Sequence, residues 1–230
     1  MTNIQSTLVG NVGFGYREEI ERLDYNLIQS LKEVETASIV DAQYSTGVMN
    51  NNIKPLSNGM KVLGSAVTVD LPVGENLMLY KALQLAKPGD VLVVNTNGND
   101  RTAIWGELMT LSARSLGLAG LIIDGMIRDG EENRKLDFPI FCTGTTPVTA
   151  RKNGQGFVNG EITCGGIVVF PGDIIAGDDD GVVVIKKEHI NLVIENLKAI
   201  EEREVRRKRE IAEGKAFPDW LNRVLMEKGL

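Results

Sequence analysis

The segment Gly120 to Glu132, GLIIDGMIRDGEE, limits the fold most. Its first four residues, Gly120-Leu121-Ile122-Ile123, are an apolar, β-branched run with no polar alternation. Such a run predicts a strand buried on both sides, in a sheet covered on both faces. It stops at Asp124-Gly125; one apolar pair later come Arg128 and Asp129, then Gly130 and the acids Glu131 and Glu132. Open α/β sheets carry their chemistry at the C-terminal mouths of such strands. Asp129 offers a hard oxygen donor suited to Mg²⁺ or Mn²⁺. Arg128 offers a planar fork for a carboxylate or an enolate. The same two residues would equally make an ordinary surface salt bridge at a strand end.

The rest of the chain supplies partners for that strand. Lys61 to Leu71 and Val91 to Val94 read as further buried strands, Glu75 to Ala86 as the helix between them, and Lys87-Pro88-Gly89-Asp90 as its stop. Asn95 to Thr102 is a polar loop at a strand end. Helical spacing resumes over Ile104 to Leu116, with the helix starting near Gly106-Glu107-Leu108-Met109 and Gly117 placed to terminate it. The open N–H groups of that helix start suit a substrate carboxylate. Glu107 reads either as part of a site or as a first-turn acid favourable to the helix dipole. Phe138 to Phe141 predicts a short strand, Thr143 to Asn159 a long loop, and Gly165 to Asp173 a strand with a tight turn. The acids of Gly177 to Gly181 lack the spacing of a calcium loop and predict a turn between strands.

Before this core, Ile20, Leu23, Leu27, Leu31 and Val34 recur at helical spacing and predict a helix over Arg17 to Val34. Thr36 would cap a second short helix, and Asn50 to Asn58 reads as a loop. Gly10 to Gly15 mimics a dinucleotide fingerprint, but no strand precedes it, so a flexible lead-in is expected. After the core, a last helix is predicted from about Glu188 to Gly214. Its first half carries the stripe Ile190, Val193, Leu197 and Ile200; its second half is charged nearly all round. A helix charged on every side either projects into solvent or lies across a partner. No domain boundary stands out. One domain over residues 1–230 is expected, with a lead-in over 1–60, an α/β core over 61–186 and a C-terminal helix and tail over 187–230.

Composition excludes several classes. A net charge of −6 disfavours a general nucleic-acid binder. No apolar run reaches the ~18 residues needed to span a bilayer, and the first residues lack the pattern of a signal peptide. Cys142 and Cys164 have no metal-ligand spacing and fit buried reduced thiols of a cytoplasmic protein. His189 is the only histidine, so a His-based triad or zinc site has nothing to build with. The lysines sit by pattern on loops and helix surfaces, which disfavours a Schiff-base mechanism.

From Lys61 onward an ordered series of motifs resembles the RraA-like family, which includes the 4-hydroxy-4-methyl-2-oxoglutarate aldolases. The pieces are Ala66-Val67-Thr68-Val69, Gly74-Glu75-Asn76-Leu77, Lys87 to Val94 and Trp105 to Met109. They continue with Asp124 to Asp129, Thr163 to Gly166, Pro171-Gly172-Asp173 and Gly177 to Val182. The resemblance implies an α/β swivelling β/β/α-type fold with N-terminal helices and a long C-terminal helix. It implies a homotrimer or dimer of trimers with the site between subunits, and a divalent-metal lyase, Mg²⁺ or Mn²⁺, acting on pyruvate-derived oxo acids. Carried over by position, Arg128 contacts substrate, Asp129 holds the metal with Glu132 following at the aldolase spacing, and Gly106, Leu108 and Met109 frame the pyruvyl carboxylate. Glu107 stands where some aldolases have Asp, which weakens its assignment to a water-mediated role. Glu204, with Glu202 as the alternative, would reach a neighbouring subunit's site. The family also contains a protein that inhibits an RNA-degrading endonuclease by binding it, and that regulator role is the alternative function. Some members are named menaquinone methyltransferases, but no strand here leads into a Gly-rich S-adenosylmethionine loop.

Overall fold

A computed structural model describes residues 7–11 and 13–230. Residues 1–6, which belong to the stretch without a signal-peptide pattern, and Val12 of the Gly10–Gly15 motif lie outside the described residues. In chain order the elements are β1 (Leu8–Asn11), β2 (Phe14–Arg17), α1 (Tyr25–Gln29), α2 (Thr36–Ala42), β3 (Lys54–Pro55), β4 (Val62–Asp70), α3 (Leu77–Leu85) and β5 (Asp90–Asn95). Next come β6 (Ala103–Trp105), α4 (Glu107–Ser115), β7 (Gly120–Asp124), β8 (Met126–Ile127), α5 (Gly130–Lys135), β9 (Ile140–Cys142) and β10 (Gly144–Thr145). The chain ends through β11 (Gly156–Val158), β12 (Ile162–Cys164), β13 (Ile167–Val169), β14 (Ile174–Asp178), β15 (Gly181–Ile185), α6 (Ile190–Ala212) and α7 (Leu221–Glu227).

The centre is a parallel run of β4, β5, β7 and β9. Its side chains alternate between two cores, as the two-residue period of a strand requires. Val67, Val69, Leu92, Val94, Leu121 and Ile123 face the core shared with α3 and α4. Ala66, Val91, Val93 and Ile122 face the opposite core with β12 and β15. Burial on both sides explains why these strands read as unbroken apolar runs. A third core gathers α2, the hairpin β14–β15 and the first half of α6. The other edge of β4 is shared: β14 pairs with Val62 to Ser65, and β11 with Val69 and Asp70.

Four expectations are corrected. The helix over Arg17 to Val34 is reduced to α1. Its apolar residues serve different cores, Ile20 one and Leu27 and Leu31 another. Between them, Arg22 forms a two-pronged ion pair with buried Asp90 at 2.8 and 2.7 Å. Asp24 then starts α1 by accepting from the N–H groups of Asn26 and Leu27. Thr36 is the first residue of α2, not its cap; its N–H and Oγ1 both donate to Asp178, at 2.8 and 2.6 Å. Gly10 to Gly15 is no loose lead-in but the hairpin β1–β2. Gly10 sits there at φ +95°, and a Cβ on it would come within 2.5 Å of the Phe14 carbonyl oxygen. The two loops expected at 50–58 and 143–159 hold β3, β10 and β11; β3 and β11 pair with strands remote in sequence, and β10 with β8 just across α5 and β9.

The turn at Asp178–Gly181 is a hairpin as expected. Cys142 and Cys164 are buried free thiols, both pushed up in pKa by burial. His189 is exposed at the start of α6. Buried residues on α6 end at Ile200. Beyond it Arg207 donates to the carbonyls of Lys215 and Ala216 at 3.0 and 2.8 Å, folding the tail back on the charged half. No helix among the described residues is long and apolar enough to cross a membrane.

Candidate active site

Strand β7 ends at Asp124, and β8 then carries the chain to Arg128 and Asp129. Asp129 adopts the left-handed conformation, φ 55° and ψ 42°, which costs an L-residue about 1–2 kcal/mol. A buried network holds it there. Asn133, fully buried, donates from Nδ2 to the carbonyls of both Arg128 and Asp129 at 2.9 Å. The Asn133 N–H donates to the Asp129 carbonyl at the same distance. Asn133 Oδ1 accepts from Thr110 Oγ1 at 2.6 Å, and Thr110 Oγ1 accepts from Trp105 Nε1 at 2.7 Å. Every polar atom of this side-chain chain is used, so it fixes α4 and α5 against each other.

The carboxylate of Asp129 is thereby set against the start of α4. Its Oδ2 accepts from the Glu107 N–H at 3.1 Å. Arg128 Nε lies 3.2 Å from each of its oxygens, leaving the two terminal nitrogens of Arg128 without acceptors among the described residues. Gly106 caps α4 in extended backbone. A Cβ there would stand 2.7 Å from Asp129 Oδ2 and 3.0 Å from Arg128 Cγ. The glycine is needed for space, not for its φ of −163°. Arg128, Asp129, Gly130, Thr145, Thr146 and Pro147 line an open cleft of about 370 Å³.

The remaining sequence-derived candidates divide. Glu107 is half-buried in the first turn of α4. Leu108 is exposed, and its N–H has no acceptor among the described residues, whereas the Met109 N–H already donates to the Gly106 carbonyl at 3.1 Å. Glu132 lies on the outer side of α5, 2.8 Å from Lys135. Glu204 lies on α6, beside Lys208 and the turn at Glu33 to Glu35, outside the cleft of its own chain. Sequence reading missed Trp105, Thr110 and Asn133. Thr110 among the buried residues of α4 was the available signal; Asn133, inside the all-polar run GEENRK, gave none.

The model of the family described as "RraA-like: Aldolase/RraA" matches residues 36–184. The chain belongs to the RraA-like family. That match spans the parallel run β4–β5–β7–β9, the cleft and Arg128–Asp129, and ends before α6 and Glu204. A Halalkalibacterium halodurans relative, provisionally named 4-hydroxy-4-methyl-2-oxoglutarate aldolase, is 38% identical over 84% of this chain and 92% of its own length. Among solved RraA-like folds, Streptomyces coelicolor RraAS2 is described as an unusual member of the RNase ES inhibitor RraA family. It is 31% identical, with a TM-score of 0.73 over 82% of this chain and 99% of that one. An uncharacterized Pseudomonas syringae protein superimposes with a TM-score of 0.75 at 27% identity, over 85% and 96% of the two chains.

Proposed function

We propose that this RraA-like protein is a divalent-metal-dependent carbon–carbon lyase. It cleaves 4-hydroxy-2-oxo acids of the 4-hydroxy-4-methyl-2-oxoglutarate type to pyruvate and decarboxylates oxaloacetate at the same site. The observation that carries this reading is the Arg128–Asp129 pair, held against the N-terminus of α4 across the bare Gly106. The name of the Halalkalibacterium relative supports it.

The residues fit a Mg²⁺ or Mn²⁺ ion. Asp129 is one-third exposed at the cleft, and no cluster of three or more His, Cys, Asp or Glu occurs among the described residues. A single carboxylate, with substrate and water completing the shell, is how such ions are commonly held. Asp129 would hold the ion; Glu132, the second candidate by sequence, is instead paired with Lys135 on the outer side of α5. When bound, the ion supplies an electron sink beside the 2-oxo group.

The chain's own groups do the rest. The free nitrogens of Arg128 place positive charge where the enolate oxygen develops. The Leu108 N–H and the start of α4 receive the pyruvyl carboxylate. Glu107, directly or through a water, takes the proton of the 4-hydroxyl. The C3–C4 bond then breaks, its electron pair passes into the pyruvate enolate, and C4 leaves as a carbonyl. Protonation at C3 completes pyruvate. With oxaloacetate the same enolate forms as CO₂ departs. The working unit is a homotrimer or dimer of trimers in which Glu204 of one subunit serves the cleft of the next.

The test is pyruvate release from both substrates with Mg²⁺ and with a chelator. Metal-dependent release that Asp129→Ala abolishes supports the lyase. No release under any metal, together with binding to an RNA-degrading endonuclease, would favour the regulator.

A further inference from the structure

Helix α5 carries four charged side chains in six residues: Glu131, Glu132, Arg134 and Lys135. Lys135 takes both acids, at 3.0 Å from Glu131 and 2.8 Å from Glu132. Arg134 is left with no acidic partner among the described residues. Its Nε donates to the Leu56 carbonyl at 3.3 Å, and its terminal nitrogens have no acceptor among the described residues. Those nitrogens lie beside Gly130. Measured from the position a Cβ on Gly130 would take, Nη1 is at 3.4 Å, Nη2 at 3.7 Å and Thr145 Cγ2 at 3.1 Å. Gly130 and Thr145 line the cleft that holds Arg128 and Asp129. A second guanidinium therefore stands at the rim of the cleft, with no side chain on Gly130 between them. An unpaired guanidinium beside a small-molecule cleft suits a carboxylate, because its planar fork matches two oxygens at once.

We infer that Arg134 binds the second carboxylate of a dicarboxylic oxo acid and so selects dicarboxylates over monocarboxylic oxo acids of similar length. The inference rests on the lyase reading of the cleft. In that reading Arg128 and the start of α4 engage the oxo-acid end, and Arg134 engages the far end. Lys135, by absorbing Glu131 and Glu132, keeps the local acids from competing for Arg134.

The test compares 4-hydroxy-4-methyl-2-oxoglutarate, whose second carboxylate survives C3–C4 cleavage, with 4-hydroxy-2-oxopentanoate in the parent, Arg134→Gln and Arg134→Lys proteins. For an exposed charge-assisted contact the expected effect of Arg134→Gln is a rise of about three- to tenfold in KM for the dicarboxylate. The KM for the monocarboxylate and kcat for both should hold, and Arg134→Lys should recover part of the loss. Equal changes for both substrates, or none, overturn the inference. If the parent cleaves neither substrate, the lyase reading fails by itself. Calorimetric binding of 2-oxoglutarate against 2-oxopentanoate to the Mg²⁺-loaded protein then decides the role of Arg134. A preference for the dicarboxylate that Arg134→Gln removes supports it, and no Arg134-dependent preference overturns it.

Discussion

The backbone N–H of Glu107 donates to Oδ2 of Asp129 at 3.1 Å, joining the first turn of α4 to the left-handed residue that starts α5. The proposed chemistry depends on that junction.

Gly106→Ala should damage activity without unfolding the protein. The new methyl would meet Asp129 Oδ2 at 2.7 Å, so the carboxylate has to move. Misplacement by about 1 Å can cost on the order of a hundredfold in rate. Steady-state kinetics beside a melting curve checks this; parent-like kcat in a folded Gly106→Ala protein would contradict the assigned geometry.

Arg128→Lys should lower kcat strongly, because a point charge does not reproduce the guanidinium fork. A change confined to KM would mean that Arg128 binds ground state and transition state alike, and its role in stabilising the enolate would be lost.

Asp129 and Asn133 form a stability–activity pair. Asp129→Gly and Asp129→Ala should both be inactive, yet the glycine variant should be more stable by about 1 kcal/mol, since only it tolerates positive φ freely. Asn133→Leu removes three side-chain hydrogen bonds and leaves the Thr110 hydroxyl without its acceptor, for a loss of about 2–4 kcal/mol. Urea denaturation of the variants measures both; equal stability of the Gly and Ala forms would argue against strain at Asp129.

Asp178 sets an acid limit on the third core. Burial pushes its carboxyl up, but the hydroxyl and N–H of Thr36 and the N–H groups of Asp180 and Gly181 outweigh this and hold it below the usual range. A depressed folded value contributes stability above the ordinary aspartate pKa of about 4, and that contribution fades as pH falls through the folded value. Thr36→Val removes one of these bonds. The stability gap between parent and variant should be present at pH 7 and shrink toward pH 3. A gap of constant size across that range would mean the bond is not linked to protonation.

Glu204 is tested by subunit mixing. Glu204→Ala and Asp129→Ala proteins, each expected to be inactive, are dissociated together and reassembled. Interfaces pairing an intact Asp129 with an intact Glu204 should restore part of the activity. Full activity of Glu204→Ala alone, or verified mixed assemblies without recovery, would refute action between subunits.

The sequence carried the parts of the fold whose signal is local. Strands β4, β5 and β7 were legible because both faces are buried and the residues are β-branched. Helices α3 and α4 were legible from period and from their stops. Strands β2 and β11 were not. FGYR and GFV are short and glycine-containing, and they pair with each other across about 140 residues. Residues 17–34 misled because helical spacing cannot tell one core from two. At the site, Arg128 and Asp129 stood out as a pair at a strand mouth. The left-handed turn at Asp129 did not, nor did the Trp105–Thr110–Asn133 chain, which exists only once two helices and a strand meet.

The divided edge of β4 also bears on synthesis. VLGSAVTVD is a nine-residue strand with one charge, and it leaves the ribosome about ninety residues ahead of β11 and over a hundred ahead of β14. During that interval β5 can cover one side while the other side offers open backbone groups to any passing strand, the situation that invites intermolecular pairing. Defects in residues 156–178 should therefore register first as insoluble product and chaperone dependence, before they register as a lowered melting temperature.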